Sequence, residues 1–384
     1  MTSSSLARHV TSTPSSLTVE WADGRASEFL SIWLSDNRPG NRDAFSGQRM
    51  IDILDLPLEP RIRFAVIQSD AVWIQWEGHS QATAFELSWL ARHAPGEGSY
   101  RAPELAARLW LEGGNLEASK DFAWSTVSEI RNNPAARLTW LTDLLKDGIA
   151  FLRGLPCDEA ALLNTVGSIG QVLETNYGRV FDVRSVPQPE NLAYSDLGLG
   201  LHTDNPYREP VPGFQALHAM VTSMEGGESL FADGCAIAEH LRASEPDAFR
   251  LLTRTAVPFS YRSKDADLYA ERPLIQLSCD GAVAAIHYNS RSIAPLRLAS
   301  REMESFYSSY RLFAGLLRNP RFQLKLRLSD GDLVAFDNRR VLHGRTAFSA
   351  ARFPRHLRGC YLTRDSVYSE TALLRQKLLE ERHP

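Results

Sequence analysis

The sequence contains little that would place the protein in a membrane, on nucleic acid or among disulfide-stabilised proteins. Its four cysteines include no C-x-x-C pair, so neither a structural zinc cluster nor a disulfide framework is indicated. No uncharged apolar run reaches the roughly 18 residues of a membrane helix. The net charge is −4, with acidic and basic residues interspersed, which excludes the basic patch of a nucleic-acid-binding protein.

The N-terminus lacks a targeting signal as well. Residues 1–14 are rich in Ser and Thr and include no apolar segment of signal-peptide length, so secretion is not expected. We therefore expect a flexible terminus over residues 1–14 and a cytoplasmic protein with buried, reduced cysteines. We expect neither a membrane nor a nucleic acid as a partner.

The first part of the chain has the pattern of a small β-rich domain, which we assign to residues 15–95. Alternating apolar residues predict strands at 17–21, 62–67 and 71–76, and residues 84–90 have the pattern of a short helix. The Pro- and Gly-containing segment 94–98 is a plausible linker. Since 384 residues suffice for two domains, a second, larger domain is expected to follow over residues 105–384.

The second part combines a few helices with many short strands. Apolar spacing predicts a helix over 134–146, ended by Gly148, and a further helix is expected over 157–172. Residues 322–328 alternate cleanly, and a turn leads into a buried strand at 333–336. The fold class expected is mainly β with flanking helices, arranged as a jelly roll or barrel.

Three residues in this second part form a candidate metal site. His202 and Asp204 are two apart in a strand-like segment, so their side chains point the same way. His343 follows the strand at 333–336. Two histidines and one carboxylate make the facial triad that holds Fe(II) and leaves positions open for an oxidant and a cosubstrate.

The His-x-Asp pair alone is weak support, because chance supplies about one such pair among 10 His and 46 acidic residues in 384. Its context carries more weight. Arg355 follows His343 by twelve residues, and a guanidinium fork matches a carboxylate bidentately. A ketoacid that chelates iron has a distal carboxylate that needs such a partner.

Longer runs of residues then resemble a known family, the γ-butyrobetaine hydroxylases within the taurine-dioxygenase-like superfamily. The resemblance covers nearly the whole chain. The matching runs are Thr175-Asn-Tyr-Gly178, Pro189-Glu-Asn-Leu-Ala-Tyr194, Leu201-His-Thr-Asp-Asn-Pro-Tyr-Arg208, Pro212-Gly-Phe-Gln-Ala-Leu-His218, Gly226-Gly-Glu-Ser229, Phe336-Asp-Asn338, Leu342-His-Gly-Arg345 and, near the N-terminus, Trp33-Leu-Ser-Asp-Asn37 and Trp89-Leu90.

The resemblance implies a double-stranded β-helix as the catalytic domain over 105–384. It implies iron at His202, Asp204 and His343, with 2-oxoglutarate as cosubstrate held by Arg355, and O₂ as the oxidant. The family suggests a homodimer.

The resemblance also implies a binding site for a small zwitterion. Aromatic faces are the natural partner of a quaternary ammonium, which cannot donate hydrogen bonds. The family's trimethylammonium cage falls on Tyr177, Phe181, Tyr194 and Tyr361. The substrate carboxylate falls on Asn191 and Asn289, with Asn205 and Arg291 as further candidates for the anionic end.

One departure from the family concerns its first domain, which often binds structural zinc through three cysteines and a histidine. The corresponding positions here are Arg38, Gly40 and Asp43, and only His79 remains. Without thiolates a tetrahedral zinc site is improbable, so we expect no structural zinc.

Several substrates remain open at this point. The first hypothesis is hydroxylation of a trimethylammonium zwitterion, with γ-butyrobetaine converted to L-carnitine. Hydroxylation of 2-(trimethylamino)ethylphosphonate, or of an amino-acid-like metabolite in a biosynthetic pathway, are alternatives. A non-catalytic metabolite-binding protein on the same fold is a further alternative, which the intact triad and Arg355 disfavour.

Overall fold

The protein is described here from a computed structural model. The structure describes residues 6–96, 106–110, 121–184, 198–222, 225–349 and 355–381. The chain divides into two compact units, Met1–Ala102 and Pro103–Pro384.

The first unit contains two three-stranded antiparallel sheets, ordered β1-β2-β3 and β4-β5-β6. Alternate residues of its strands, such as Leu17 and Val19, are fully buried, as expected for strands with one face on a core. The elements are β1 (Ala7–Ser12), β2 (Ser16–Trp21), β3 (Ala26–Leu30), α1 (Ser31–Asp36), β4 (Ile62–Gln68), β5 (Ala71–Trp76), β6 (Thr83–Glu86) and α2 (Leu87–Arg92).

Two expectations for this unit are wrong in part. Ala7–Ser12 lies in the segment expected to be flexible, but it forms β1, because its backbone pairs along β2 with Val10 opposite Val19. The expected helix at 84–90 begins only at Leu87, since the preceding residues pair with β5.

The second unit is built on a large sheet with the order β10-β21-β12-β19-β8-β7, to which β9 adds beside β21. All neighbours are antiparallel except β7 and β8. Its strands are β7 (Trp124–Thr126), β8 (Ile149–Arg153), β9 (Val172–Leu173), β10 (Phe181–Arg184), β12 (Phe214–Val221), β19 (Leu333–Asp337) and β21 (His356–Leu362).

A smaller sheet with the order β11-β20-β13-β18 supplies the other wall. Side chains from both sheets line one cavity, which is the arrangement of a jelly roll. The fold class expected from the sequence is therefore confirmed. The strands are β11 (Leu199–His202), β13 (Ser229–Asp233), β18 (Leu324–Leu326) and β20 (Val341–Arg345), and two hairpins add β14 (Val257–Arg262), β15 (Asp267–Arg272), β16 (Ile275–Leu277) and β17 (Val283–Ile286).

Helices flank these sheets. The helix expected at 134–146 is confirmed: Asn133 caps its first turn through its side chain, and Gly148 ends it in the left-handed conformation at φ 75°. The helices are α3 (Val127–Asn132), α4 (Pro134–Asp147), α5 (Ala161–Val166), α6 (Gly234–Ser244), α7 (Pro246–Arg254), α8 (Ser300–Arg318) and α9 (Arg364–Glu380).

Other local expectations differ from the structure. The helix expected over 157–172 is only α5, which ends at Val166 with Gly167 as its C-cap. The chain beyond it packs closely against α9, since a Cβ on Gly170 would lie 2.7 Å from the Ser366 hydroxyl. The alternating run at 322–328 forms only the short β18, whose sole ladder is with β13. Cys235 and Cys360 are buried as expected, but Cys157 and Cys279 are exposed because both lie in turns.

A search of the described helices finds none with the length and apolar character required to cross a bilayer.

A buried ion pair anchors the turn between β19 and β20. The Arg340 guanidinium donates to Asp233 Oδ2 at 2.6 Å, and both side chains are almost fully buried, at 7% and 1% exposure. Arg340 also donates to the carbonyls of Lys146 and Arg108, while Asp233 caps the start of α6 through the Cys235 amide. The pair therefore connects the loop before β20 to the ends of α4 and α6.

We expect Arg340→Leu to destabilise the second unit by about 3–5 kcal/mol, because it leaves the Asp233 carboxylate buried without a counter-ion. Arg262→Leu is the matched control, since Arg262 pairs with Asp267 at the surface and such pairs contribute about 1 kcal/mol or less. Urea unfolding of both variants measures the difference. Equal destabilisation would contradict the role given to Arg340.

Candidate active site

Two histidines are neighbours on adjacent strands of the small sheet. His202 ends β11 and pairs directly with His343 in the middle of β20. Their ring centroids are 4.3 Å apart, and His202 Nδ1 contacts the Gly200 carbonyl oxygen at 2.9 Å. The contact leaves Nε2 of His202 facing the cavity, because the other ring nitrogen is engaged by the backbone.

The carboxylate of Asp204 completes the cluster. Its Oδ1 lies 3.3 Å from His202 Nε2, and its Oδ2 lies 3.7 Å from His343 Nε2. Octahedral ligands about 2.1 Å from an ion lie about 3 Å from one another, so these separations are close to those of three ligands on one face. His202, Asp204 and His343 offer ligand atoms all within 4.8 Å and form the single such cluster found in the described residues.

The protonation states of the cluster suit a cation. Burial lowers the pKa of His343 to about 3, and neighbouring His202 adds to this effect, so its imidazole is neutral at physiological pH. Burial alone would raise the pKa of Asp204, but His343, His202 and the Tyr361 hydroxyl together hold it well below its usual range. A neutral imidazole and an ionised carboxylate are the forms that bind metal. The donor set of two nitrogens and one oxygen fits Fe(II).

Asn338 fixes the backbone of the Asp204 ligand. Its Oδ1 accepts from the Asp204 amide at 2.7 Å, and its Nδ2 donates to the Asp204 carbonyl at 3.0 Å and to the Pro212 carbonyl at 3.2 Å. The side chain is fully buried. One amide thus satisfies both backbone polar groups of the residue that carries the carboxylate.

Close packing of β11 against β20 sets the spacing of the two histidines. A Cβ on Gly344 would lie 2.5 Å from the Leu199 carbonyl oxygen and 3.1 Å from the Leu201 amide nitrogen. No real side chain fits at these distances. Position 344, next to His343, must therefore be glycine for β11 and β20 to pair at this distance.

The three candidate ligands open into a cavity between the two sheets, with an empty volume of about 740 Å³ that includes part of its mouth. Its lining includes several residues expected from the sequence: Tyr177, Phe181, His202, Asp204, Asn205, His343, Arg355 and Tyr361.

Three of the four residues expected to form the aromatic cage line this cavity. The rings of Phe181 and Tyr361 are tilted at a centroid distance of 4.9 Å, and Tyr177 contacts Tyr261 edge-on at 5.9 Å. The Tyr361 hydroxyl also donates to Asp204 Oδ2 at 2.8 Å. Tyr361 thus touches the metal ligand as well as the expected cage. Tyr194, the fourth cage residue, lies outside the described residues.

Arg355 enters the cavity at the start of β21. It is 7% exposed, and its Nε donates to the Gly227 carbonyl at 3.0 Å. Burial, with a contribution from Arg345, lowers its pKa to about 10, so the guanidinium remains charged at neutral pH. The cavity therefore holds a buried cation that can bind an anion.

Of the residues expected to bind the anionic end of the substrate, only some line the cavity in the described part of the chain. Asn205 lines the cavity, whereas Asn289 is not among the lining residues and its amide donates to the Thr203 carbonyl at 3.2 Å. The Arg291 residue as a whole is exposed, but its guanidinium is partly shielded from solvent, and this burial lowers its pKa. The Asp204 carboxylate acts on that pKa in the opposite direction. Asn191 lies outside the described residues.

The second unit matches a known family over most of its length. The family model for taurine catabolism dioxygenase TauD, TfdA family, matches residues 114–361, which is more than half of the chain. The chain belongs to this family.

Individual relatives are similar over nearly the full chain. A γ-butyrobetaine dioxygenase from Pseudomonas sp. (strain AK-1) is 36% identical over 374 residues, covering 94% of this chain and 94% of that protein. Dioxygenase str8 from Strobilurus tenacellus is 29% identical, covering 85% and 80%. The human γ-butyrobetaine dioxygenase is 26% identical, covering 93% and 94%.

As a TauD/TfdA-family dioxygenase, the protein uses Fe(II) and 2-oxoglutarate. The buried cluster of His202, Asp204 and His343 is the one group in the described chain that fits the iron.

Sequence reasoning missed several residues of the site. The sequence indicates no role for Asn338 beyond its place in a run that resembles the family, and none for Gln215, Ser229 and Arg345, which line the cavity. Arg345 could have been found, because it lies two residues after His343 on one strand and so points to the same side. Contacts such as that of Asn338 with Asp204 join residues 134 apart and leave no local signal.

We expect Asn338→Asp to weaken metal binding by about 10- to 100-fold, the usual effect of losing a group that orients a metal ligand. The new carboxylate still accepts from the Asp204 amide but places a negative oxygen against two carbonyls. Calorimetric titration of the apoprotein with Mn(II) measures the effect.

Asn319→Asp serves as the control, since Asn319 only caps a short turn through the Arg321 amide. Thermal unfolding of the apoprotein verifies that each variant is folded. Wild-type metal affinity in folded Asn338→Asp protein would exclude the orienting role.

Proposed function

We propose that the protein hydroxylates a small trimethylammonium zwitterion, and that its substrate is γ-butyrobetaine, converted to L-carnitine. The observation that carries the proposal is the pairing, in one cavity, of the candidate iron ligands with the rings of Tyr177, Phe181 and Tyr361. Similarity to γ-butyrobetaine dioxygenases over 94% of the chain supports the same substrate.

The aromatic rings account for recognition of the cationic end. A trimethylammonium group spreads its charge over methyl groups that donate no hydrogen bond, and the negative faces of aromatic rings attract it. Phe181 and Tyr361 are neighbours, so a single cation can contact both rings. Phe181 presents a weaker cation–π surface than the Trp of some family members, but it retains the face.

Arg355 accounts for recognition of the cosubstrate. We propose that its guanidinium binds the distal carboxylate of 2-oxoglutarate, since it is a buried cation in the same cavity as the iron ligands. The Gly227 carbonyl occupies Nε, which leaves the terminal nitrogens of the fork available.

The residues of the cavity position the reaction. Bound iron with 2-oxoglutarate supplies the activation of O₂ and the oxidation of an unactivated C–H bond. The chain orients the substrate between its two charged ends, so that a middle carbon faces the metal ligands. The Tyr361 hydroxyl, whose pKa is raised by burial and by Asp204, stays protonated and holds the Asp204 carboxylate in place.

We also propose that the protein acts in the cytoplasm, as free thiols at all four cysteines suit a reducing compartment. A homodimer is the assembly that the family resemblance implies.

Turnover of a substrate panel tests the proposed function. We expect release of succinate from 2-oxoglutarate with γ-butyrobetaine at least about tenfold faster, as kcat/KM, than with unmethylated 4-aminobutyrate. The reason is that a desolvated cation–π contact is worth about 2 kcal/mol, while a primary ammonium also loses hydrogen bonds to water. 2-(Trimethylamino)ethylphosphonate belongs in the same panel.

His343→Ala is the control for iron-dependent turnover and is expected to release no succinate. Equal rates with the methylated and unmethylated amines would refute the aromatic cage. Faster turnover of the phosphonate than of γ-butyrobetaine would assign the protein to the phosphonate instead.

We expect Arg355→Gln to raise the Kd of 2-oxoglutarate by about thirtyfold or more, because truncating one partner of a buried charge pair costs about 2–5 kcal/mol. Calorimetry on Mn(II)-loaded protein measures this Kd. Arg358→Gln is the matched control: Arg358 lies on the same strand but contacts Asp182. Weaker binding of 2-oxoglutarate in both variants would show that the effect is not specific to Arg355.

A further inference from the structure

Asn205, next to the metal ligand Asp204, has an unusual backbone and an unsatisfied side chain. Its φ is +53°, a left-handed conformation that residues other than glycine rarely adopt and that Asn tolerates best. The residue is only 5% exposed and lines the cavity. Its Nδ2 has no hydrogen-bond partner among the described residues. A buried donor without a partner at a ligand cavity indicates a group that a ligand satisfies.

Tyr207 fixes the orientation of this amide. Its hydroxyl donates to Asn205 Oδ1 at 2.7 Å, so the oxygen of the amide is occupied and the nitrogen is left for the cavity. The Tyr207 ring is held by stacking on Tyr261 at 5.2 Å, and the hydroxyl of Tyr177 lies 3.4 Å from that of Tyr207. Burial raises the pKa of Tyr207 to about 12, so its hydroxyl keeps the proton that it donates.

Charged groups of both signs act on this pair: the Asp204 carboxylate raises the pKa of the Tyr207 hydroxyl, and Arg208 lowers it. Arg208 and Arg291 both act electrostatically on the Tyr207 hydroxyl, and Arg208 also lies 6.0 Å from the centre of the Tyr177 ring. Asn289, the other described amide expected to bind the anionic end, already donates to the Thr203 carbonyl. Asn205 therefore offers an amide donor that no described residue occupies, and Arg208 and Arg291 interact with the hydroxyl that orients it.

We propose that the Asn205 amide donates a hydrogen bond to the anionic oxygen of the substrate, and that Tyr207 is the positioning residue that aims it. The proposal rests on the proposed function, since it names the group that recognises the negative end of the same zwitterion. Asn205 touches the substrate, whereas Tyr207 acts on its anionic end through Asn205. Two carboxylates enter this cavity, and the proposal assigns Asn205 to that of the substrate and Arg355 to that of 2-oxoglutarate.

Binding measurements without turnover test the proposal. Protein loaded with Mn(II) and 2-oxoglutarate is titrated in a calorimeter with γ-butyrobetaine and with its neutral-ended analogue, in which a primary alcohol replaces the carboxylate. In Tyr207→Phe, which keeps the stacked ring and removes the hydroxyl, we expect the preference for the carboxylate over the alcohol to fall about tenfold. Tyr261→Phe is the matched control, because it removes a hydroxyl from the same ring cluster without contacting Asn205, and its preference is expected to remain that of the wild type.

Asn205→Gly provides the second variant. Glycine adopts the left-handed conformation without strain, so this change removes the amide while it preserves the backbone beside Asp204. We expect at least the same loss of preference as in Tyr207→Phe, with the Kd of 2-oxoglutarate unchanged.

The possible outcomes distinguish failure of the proposed function from failure of the Asn205 subsite alone. Wild-type protein that binds and turns over no betaine would refute the proposed function itself. Wild-type protein that binds γ-butyrobetaine, with Asn205→Gly retaining the full preference for the carboxylate, would refute the subsite alone. A weakened affinity for 2-oxoglutarate in Asn205→Gly, with substrate preference intact, would reassign the amide to the cosubstrate and also overturn the proposal. A loss of preference in Tyr261→Phe equal to that in Tyr207→Phe would remove Tyr207 as the positioning residue.

Discussion

The pairing of β11 with β20 is the constraint on which the site depends. It sets His202 directly opposite His343, so two ligands come from adjacent strands of one small sheet at a distance fixed by the ladder. The third ligand, Asp204, lies just beyond the end of β11, where the strand no longer holds the backbone. Asn338 replaces the missing ladder there by bonding both backbone groups of Asp204. Backbone pairing and one buried amide thus position all three candidate ligands.

The two sheets contribute different residues to the cavity. The small sheet carries the candidate metal ligands, whereas the large sheet contributes Phe181, Arg355 and Tyr361, at or beside its strands β10 and β21. Tyr361 joins the two, because its ring faces Phe181 and its hydroxyl reaches Asp204. The proposed substrate site and the candidate metal site therefore share a residue, so we expect changes at Tyr361 to affect both.

Whether the sequence could predict a part of this site depended on how far apart along the chain the contacting residues lie. The triad followed from local spacing, since His202 and Asp204 are two residues apart at the end of β11, and from the runs that resemble the family. The hydrogen bond of Tyr207 with Asn205 spans two residues and was within reach of the same reasoning. The contact of Asn338 with Asp204 was not, because it depends on how two distant loops pack. Strand β1 was missed for a similar reason: its pattern is weak, and its partner β2 determines that it is ordered.

Gly344 limits how such a site can diversify. Because any Cβ at this position would collide with the backbone of β11, the wall formed by β11 and β20 cannot be enlarged or recessed by substitution there. The shape of the cavity can change through other lining residues, such as the aromatic residues of the large sheet and Asn205. The spacing of the two candidate ligands thus fixes the backbone of one wall, whereas the volume left for a substrate depends on side chains elsewhere in the lining.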